Sequence, residues 1–258
     1  MNARARTRSA ARLSLAVGGV LIAGAALTGC GGADADGAEP EYKAFALAGR
    51  ELSVDSDNSG IELVPGDGKE VKVTRWFDGW SVGGSSPKAT WEVDGNTLKL
   101  REHCSGIGSH CQSKHRIEVP RGVKVTVKDD NGRVTASGFE TDLEIHSSNG
   151  EVHVTDSTGA LDLFSSNGNV IATDTGARRV RARSDNGNVR IALSRVPDRV
   201  ETSNKNGNIT ITVPRGSYDV DGHSKNGNVT VDVPSQDGNP HTITGHNTNG
   251  NVKVTNAN

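Results

Sequence analysis

The dipeptide Asn-Gly recurs seven times along the second half of this chain, at spacings of 18, 18, 19, 20, 20 and 23 residues. A regular period of this length is typical of stacked supersecondary units. The seven pairs are Asn131-Gly132, Asn149-Gly150, Asn167-Gly168, Asn186-Gly187, Asn206-Gly207, Asn226-Gly227 and Asn249-Gly250. Because Asn tolerates left-handed backbone angles and Gly adopts them freely, we interpret each pair as a corner at which the chain bends with little strain.

Apolar residues keep fixed offsets from these corners. With each Asn as position zero, positions −6 and +3 are always Val, Leu or Ile, and position +5 is Val, Ile or Ala. Position −4 is apolar in the first four copies and Thr or Gly in the last three. This alternation predicts two short strands per copy. Small polar residues at −2, such as Ser147 and Asn204, would stack in the corners and form hydrogen-bonded ladders.

Two architectures fit this pattern. An antiparallel hairpin array would pair position −2 with +3 and −4 with +5. We favour a parallel arrangement, because one two-stranded unit cannot bury its apolar face and must stack on its neighbours. The prediction is an all-β fold, a single-stranded parallel β-solenoid with coils of 18–20 residues. Aromatic residues make up only 3% of the chain, which suits a thin core better than a deep globular one.

A degenerate copy of the repeat lies upstream, where Ser59 stands in place of the corner glycine. It consists of Leu52, Val54, Ser56, Asn58, Ile61 and Leu63. The segment between this copy and Val123 holds Trp76, Trp80 and Trp91, and we interpret it as a β-rich insertion or cap over one end of the solenoid. Around Gly95-Asn96, alternation predicts a hairpin that places Trp91 opposite Leu100. The Trp residues form either the core of the cap or an exposed aromatic patch.

The N-terminal residues have the pattern of an export signal. Four Arg precede an apolar stretch that runs from Leu13 to Leu27, which is too short to span a bilayer stably. The stretch ends in Leu27-Thr28-Gly29-Cys30, which resembles the bacterial lipobox. The alternative is an ordinary signal peptide with a Cys near its cleavage site.

The prediction is a lipoprotein in which Cys30 is diacylated and anchors the chain to the membrane from outside the cell. The predicted domains are a signal peptide (1–29), a lipidated flexible tether (30–40), an N-terminal repeat copy with the cap (41–122) and the solenoid (123–258). Without residues 1–29 the chain holds 25 basic and 31 acidic side chains, a net charge of −6. That balance suits a soluble extracytoplasmic part.

Cys104 and Cys111 remain in a compartment where paired thiols oxidise, so we expect a disulfide. A competing zinc site would add His103, His110 and His115, but this spacing matches no common zinc finger.

Two outward-facing groups are candidate sites. Asp221, His223 and His246, with Glu201 beside them, are weak candidates for a cation site or an acid/base group. Arg181, Arg183 and Arg190 belong to an Arg-rich copy that could bind wall polyanions or anionic lipid headgroups. A solvated surface is the simpler interpretation of both groups. No motif indicates a catalytic nucleophile, a bound cofactor, a structural metal or nucleic-acid binding.

The recurrent Ser-x-Asn-Gly-Asn-Val units, with Val119-Pro120-Arg121-Gly122 and Val213-Pro214-Arg215-Gly216 leading into strands, resemble the bacterial putative-adhesin family of β-strand-repeat proteins. The resemblance covers about residues 50–256. It implies a β-helix-like fold and an exported or membrane-attached protein, and it brings no catalytic residues with it.

The predicted function is therefore an adhesin-like or envelope-scaffolding lipoprotein. Its partners would be the membrane, through the lipid anchor, and a cell-wall polyanion, a glycan or another envelope protein. One alternative is a carbohydrate-active enzyme in which Glu201 and Asp221 act across a groove. Another is an envelope-sensing accessory protein that uses the Trp-rich segment.

Overall fold

The computed structural model describes residue 35 and residues 37–257, so the predicted signal peptide and Cys30 lie outside the described residues. All regular structure in the described part is β-strand. Seven strands precede the Asn-Gly repeats: β1 (Glu41–Ala46), β2 (Glu51–Ser56), β3 (Ser59–Gly66), β4 (Glu70–Val82), β5 (Lys88–Asp94), β6 (Thr97–His103) and β7 (Gly108–Pro120).

The repeats contribute two strands each. These strands are β8 (Lys124–Asp129), β9 (Val134–Ser137), β10 (Leu143–Ser147), β11 (Val152–Thr155), β12 (Leu161–Ser165), β13 (Val170–Thr175), β14 (Arg179–Asn186), β15 (Val189–Leu193), β16 (Arg199–Asn206), β17 (Ile209–Val213), β18 (Asp219–Asn226), β19 (Val229–Asp232), β20 (Thr242–Asn249) and β21 (Val252–Asn256). We number the coils in chain order, so that β2 and β3 form coil 1, β8 and β9 form coil 2, and β20 and β21 form coil 8.

Each coil places its first strand in a ten-stranded sheet, sheet B, and its second strand in an eleven-stranded sheet, sheet A. Within both sheets the coils pair in parallel and keep the register of the repeat. Leu143, for example, lies opposite Val125 on one side and Leu161 on the other. The predicted parallel solenoid is confirmed, and the antiparallel hairpin array is excluded for the repeats.

The core lies between the two sheets. In coils 2–6 and coil 8, the side chains at positions −6, −4, +3 and +5 are at most 3% exposed wherever the position holds a side chain beyond glycine. Burial of a Val, Leu or Ile side chain contributes roughly 1.5–3 kcal/mol. The core is therefore a narrow column of aliphatic side chains, as the scarcity of aromatic residues predicts.

The coils do not stack in chain order. In sheet B, β20 pairs with β16 on one side and with β18 on the other. In sheet A, β21 lies in the same way between β17 and β19. Coil 8, the last in the chain, is thus inserted between coils 6 and 7. Coil 7 forms the end of the stack, which leaves its Val229 and Val231 about 40% exposed.

Residues 41–120 extend the same two sheets at the other end. Coil 1 pairs in parallel with coil 2, in the register expected of a degenerate copy. β6 and β7 continue the stack in parallel beyond coil 1, and β5, β4 and β1 then add antiparallel strands. β5 and β6 form the hairpin expected around Gly95, with Trp91 opposite Leu100.

Candidate functional site

The corner asparagines form one continuous ladder along the solenoid. From Asn131 onward, each side-chain amide donates a hydrogen bond to the side-chain carbonyl of the preceding asparagine in the stack, at N–O distances of 2.6–2.9 Å. In spatial order the ladder runs through Asn58, Asn131, Asn149, Asn167, Asn186, Asn206, Asn249 and Asn226. The ladder therefore follows the spatial order of the coils and includes the degenerate copy.

All seven corner glycines are required because the coils approach closely, and Gly207 and Gly250 also have positive φ, so the sequence interpretation holds for these two glycines and is corrected for the asparagines and the other five. Among the described non-glycine residues, only Asp156 and Asp174 have positive φ, so the corner asparagines do not use left-handed angles. A Cβ added to Gly168 would lie 2.1 Å from the carbonyl oxygen of Gly150. Gly132, Gly150, Gly187, Gly207, Gly227 and Gly250 would meet a corner carbonyl of the neighbouring coil at 1.7–2.3 Å.

The small residues at −2 bind backbone groups instead of one another. Ser165 Oγ accepts a hydrogen bond from Gly168 N, at 2.9 Å, and donates one to Gly150 O of the neighbouring coil, at 2.8 Å. Asn204 donates in the same way to Gly187 O. These bonds satisfy the bent backbone, but the predicted side-chain ladder belongs to the asparagines at position zero.

A second asparagine column, at position +2, was not predicted. The side-chain carbonyl of each of these residues accepts a hydrogen bond from the backbone N–H of the next one, at 2.9 Å. The column runs through Asn169, Asn188, Asn208, Asn251 and Asn228. Its signal in the sequence is the second Asn of the Asn-Gly-Asn units.

The outer face of sheet B carries rows of paired charges. Arg181 lies between Asp162 and Glu201, at N–O distances of 3.6 and 3.3 Å, and Arg199 also binds Glu201. The hydrogen bond from Arg199 lowers the pKa of Glu201; burial opposes this, and the hydrogen bond from Arg181 and the charges of both arginines add to the lowering. These side chains line an open groove of about 590 Å³ that crosses several coils. Because Glu201 is held ionised, it is poorly suited to act as a general acid.

The arginines of the predicted polyanion patch do not lie together. Arg181 and Arg183 project from β14 in sheet B, whereas Arg190 projects from β15 on the outer face of sheet A. Arg183 binds Asp185 at 3.1 Å and stacks over Phe164. The patch is therefore two separate surfaces, and carboxylates already contact Arg181 and Arg183.

The inserted coil also separates the predicted acidic pair. Thr244 lies in register between Glu201 and Asp221, so these two carboxylates are not neighbours. His246 Nε2 is 3.2 Å from Asp221 Oδ2, and the rings of His246 and His223 meet edge to face at 6.3 Å. The structure thus joins Asp221, His223 and His246 but leaves Glu201 out of the group.

Cys104 and Cys111 form the expected disulfide, with their Cα atoms 6.1 Å apart. Glu102 lies close enough to share a ligand cluster with both sulfur atoms, but disulfide sulfurs are not the thiolates that zinc requires. His115 is buried and hydrogen-bonded to Ser59 at 2.5 Å, and burial lowers its pKa to about 3. The alternative zinc site therefore does not fit this geometry.

The three tryptophans separate into an inner and an outer group. Trp91 packs against the core beneath the Arg75 guanidinium, which lies 4.3 Å from the ring centroid. Trp76 and Trp80 alternate with the inward residues of β4 and project from the outer face of sheet A. Trp80 is 54% exposed. Trp91 therefore belongs to the core of the cap, as the first interpretation has it, and Trp80 belongs to an exposed aromatic surface, as the second has it.

Parallel coils, asparagine ladders and ion-paired outer faces define a β-solenoid repeat domain. Residues 121–257 match the Toastrack DUF4097 family, and the chain belongs to that family. This confirms the resemblance to bacterial adhesin-like repeat proteins. A search of curated proteins found no match. No helix in residues 35 and 37–257 has the length and apolar character needed to cross a membrane.

Solved bacterial proteins are similar to this chain at low sequence identity. A putative adhesin from Bacteroides fragilis NCTC 9343 is 15% identical, with a TM-score of 0.50, over 85% of this chain and 97% of that chain. A putative adhesin from Parabacteroides distasonis ATCC 8503 is 12% identical (TM-score 0.45, 84% and 98% covered). A putative lipid binding protein from the same organism is 13% identical (TM-score 0.42, 83% and 96% covered).

Proposed function

We propose that the protein is an extracytoplasmic lipoprotein, anchored to the bacterial cell membrane through Cys30, whose solenoid serves as an adhesin-like or scaffolding element of the envelope. Its partner would be a cell-wall polyanion, a glycan or another envelope protein. The names of the structural neighbours, two of which are putative adhesins, are consistent with this role.

The observation that carries the proposal is the uninterrupted asparagine ladder through eight coils. Each coil is held to the next by side-chain amides in addition to two parallel strand pairings, so the solenoid is a stiff shaft rather than a string of independent repeats. Sheet A has eleven strands, and at about 4.8 Å per strand the shaft is about 48 Å long. A shaft of this kind suits the display of a contact surface away from a membrane.

The outer faces support a contact role more than a catalytic one. Both grooves on sheet B are open, and in the larger groove Arg181 is paired with Asp162 and Glu201 of the two adjacent coils. The smaller groove, of about 420 Å³, is lined mainly by polar and basic residues, including Lys205, Lys225 and His246. Such surfaces are suited to recognising an extended polar partner.

The anchor is tested by labelling cells with an alkyne analogue of palmitate. The full-length protein should carry the label and fractionate with membranes. It should also be cut by protease added to intact cells whose outer envelope layers have been opened, so that the outer side of the cell membrane is accessible. The Cys30→Ser variant should lose the label and leave the membrane fraction. A Cys104→Ser/Cys111→Ser variant, which lacks the disulfide but keeps Cys30, is the matched control and should keep both properties.

The contact role is tested with residues 32–258, which contain all described strands in one compact unit. We expect saturable retention of this unit on isolated cell envelope. Equal recovery with and without envelope would contradict the adhesin-like role while leaving the anchor intact.

A further inference from the structure

The two longest strands extend past their neighbours at one end of sheet A. β7 pairs with β3 only from Ser113 onward, and β1 pairs with β4 only as far as Arg75. Residues 78–82 of β4 and 108–112 of β7 consequently pair only with each other among the described strands. We define the tip as the part of this end beyond the Asp78–Gln112 pair together with the adjoining residues, 79–87 and 103–111.

The tip is held together by specific contacts. Ile107 N donates a hydrogen bond to Val82 O at 3.0 Å, which joins its two connections. The hydroxyls of Ser85 and Ser105 are 2.6 Å apart. A Cβ on Gly84 would lie 2.1 Å from Ser105 O, so the two backbones are in direct contact. With the Cys104–Cys111 disulfide across its base, the tip is an ordered structure.

The surface of the tip differs from the rest of the protein. It contains no Asp, Glu, Lys or Arg, although these residues make up 23% of the chain. Its prominent side chains are Ile107, Val82 and Trp80, which are 95%, 62% and 54% exposed. A cluster of exposed apolar side chains at a projecting, uncharged end marks a contact surface. Trp is favoured at the boundary between lipid headgroups and acyl chains because it combines an apolar ring with a polar N–H.

The first described strand begins on the side of the tip. β1 begins at Glu41, opposite Arg75, and runs antiparallel to β4, away from the tip. The chain therefore enters the fold from the side of the tip. Glu41 follows Cys30 by eleven residue-to-residue steps, which span up to about 36 Å when extended. The seven steps from Arg75 to Val82 span only about 23 Å, so a lipid on Cys30 can reach the level of the tip.

We propose that Trp80, Val82 and Ile107 insert into the surface of a phospholipid bilayer and form a second membrane contact beside the N-terminal anchor. The identity of the membrane rests on the proposed function, but the affinity of the tip for lipid does not require acylation. Anchoring at two points would fix the orientation of the solenoid relative to the bilayer, which a flexible tether alone cannot do.

The test uses residues 32–258, which lack Cys30, with vesicles of phosphatidylcholine and phosphatidylglycerol. We expect co-sedimentation that persists at high salt, because apolar insertion is not screened as surface charge is. The Val82→Ser/Ile107→Ser variant should bind at least about tenfold more weakly than wild type. It keeps Trp80, so reduced quenching of tryptophan emission by brominated lipid should accompany the loss. Both changes lie at exposed positions, and circular dichroism should show an unchanged fold.

A matched control places the same change elsewhere. Val196→Ser/Val229→Ser alters two exposed valines outside the tip and should leave vesicle binding unchanged. Absence of wild-type binding, equal binding of the tip variant, or binding abolished by salt would overturn the proposal, as would binding to isolated envelope proteins without binding to vesicles. Loss of palmitate labelling in Cys30→Ser is a separate result, so failure of the anchor and failure of the tip are distinguishable.

Discussion

Asp129 is a buried carboxyl group at a repeat position that other coils fill with a neutral side chain. It occupies position −2, where other coils have Ser or Asn, and its Oδ2 accepts a hydrogen bond from Gly132 N at 2.6 Å. Its Oδ1 is buried without a hydrogen-bond partner. Burial, reinforced by the nearby Asp130 and Asp57 carboxylates, raises the pKa of Asp129 to about 7. A neutral side chain would fill this corner with less cost, as Asn204 does in coil 6, where it donates to Gly187 O and accepts from Asn206 N.

This raised pKa predicts a pH-dependent stability. Below pH 4 the carboxyl is protonated in both the folded and the unfolded chain, and its contribution is fully present. As the pH rises from about 4 to 7, the unfolded chain ionises while the folded chain keeps the proton, so stability falls by up to about 4 kcal/mol. Asp129→Asn should remove this loss, and its advantage over wild type in urea unfolding should grow between pH 4 and 7.

His115 makes the comparison of variant with wild type necessary. Its pKa is lowered to about 3, so its contribution is present above its unfolded value and is lost as the pH falls from about 6.5 toward 3. In the wild-type curve of stability against pH, the contribution of Asp129 falls as the pH rises and that of His115 falls as the pH drops, so the two oppose each other. The difference between Asp129→Asn and wild type isolates Asp129, and a difference that stays constant across this pH range would contradict the assigned burial.

At the scale of the coil, the corner is a device for close stacking. Gly168→Ala would press a methyl group against Gly150 O at 2.1 Å, and because that atom is backbone, the coils themselves must move apart. We expect a loss of roughly 1–3 kcal/mol or more in the free energy of unfolding. Gly68→Ala is the control, because its Cβ would meet nothing closer than 3.8 Å. Equal stability of the two variants in denaturant titrations would rule out close stacking as the reason for the glycine.

The coil is also where sequence reasoning succeeded. The inward positions, the parallel register and the hairpin at Trp91 follow from period-two alternation and the fixed offsets, because each depends on contacts between neighbouring strands. The reason for the corner glycine could not be found in this way. Conformational freedom and close approach both select glycine, and only coordinates separate them. The +2 asparagines were visible, but their backbone partners in the next coil were not.

At the scale of the whole molecule, the sequence could not predict the spatial order of the coils. Because every coil presents similar inward residues and the same corner Asn, the repeat pattern alone does not decide whether coil 8 lies beyond coil 7 or between coils 6 and 7. The inserted position covers Ile209 and Ile211 with Val252 and Val254 and leaves the half-exposed coil 7 at the end. This order also decided one candidate site, since it separated Glu201 from Asp221, which would lie on neighbouring strands if the coils stacked in chain order. The division of the arginines between two faces followed from the sheets themselves.

The order of the coils is the central structural claim, and disulfide trapping tests it most directly. Ser203 and His246 are outward partners on adjacent strands, while His223 lies one strand further. Cysteines at 203 and 246 would be about 4.8 Å apart, within disulfide reach, and cysteines at 203 and 223 about 10 Å apart, beyond it. Mild oxidation should cross-link Ser203→Cys/His246→Cys and leave Ser203→Cys/His223→Cys unlinked in peptide maps. Efficient linkage of 203 to 223, without linkage of 203 to 246, would contradict the inserted coil.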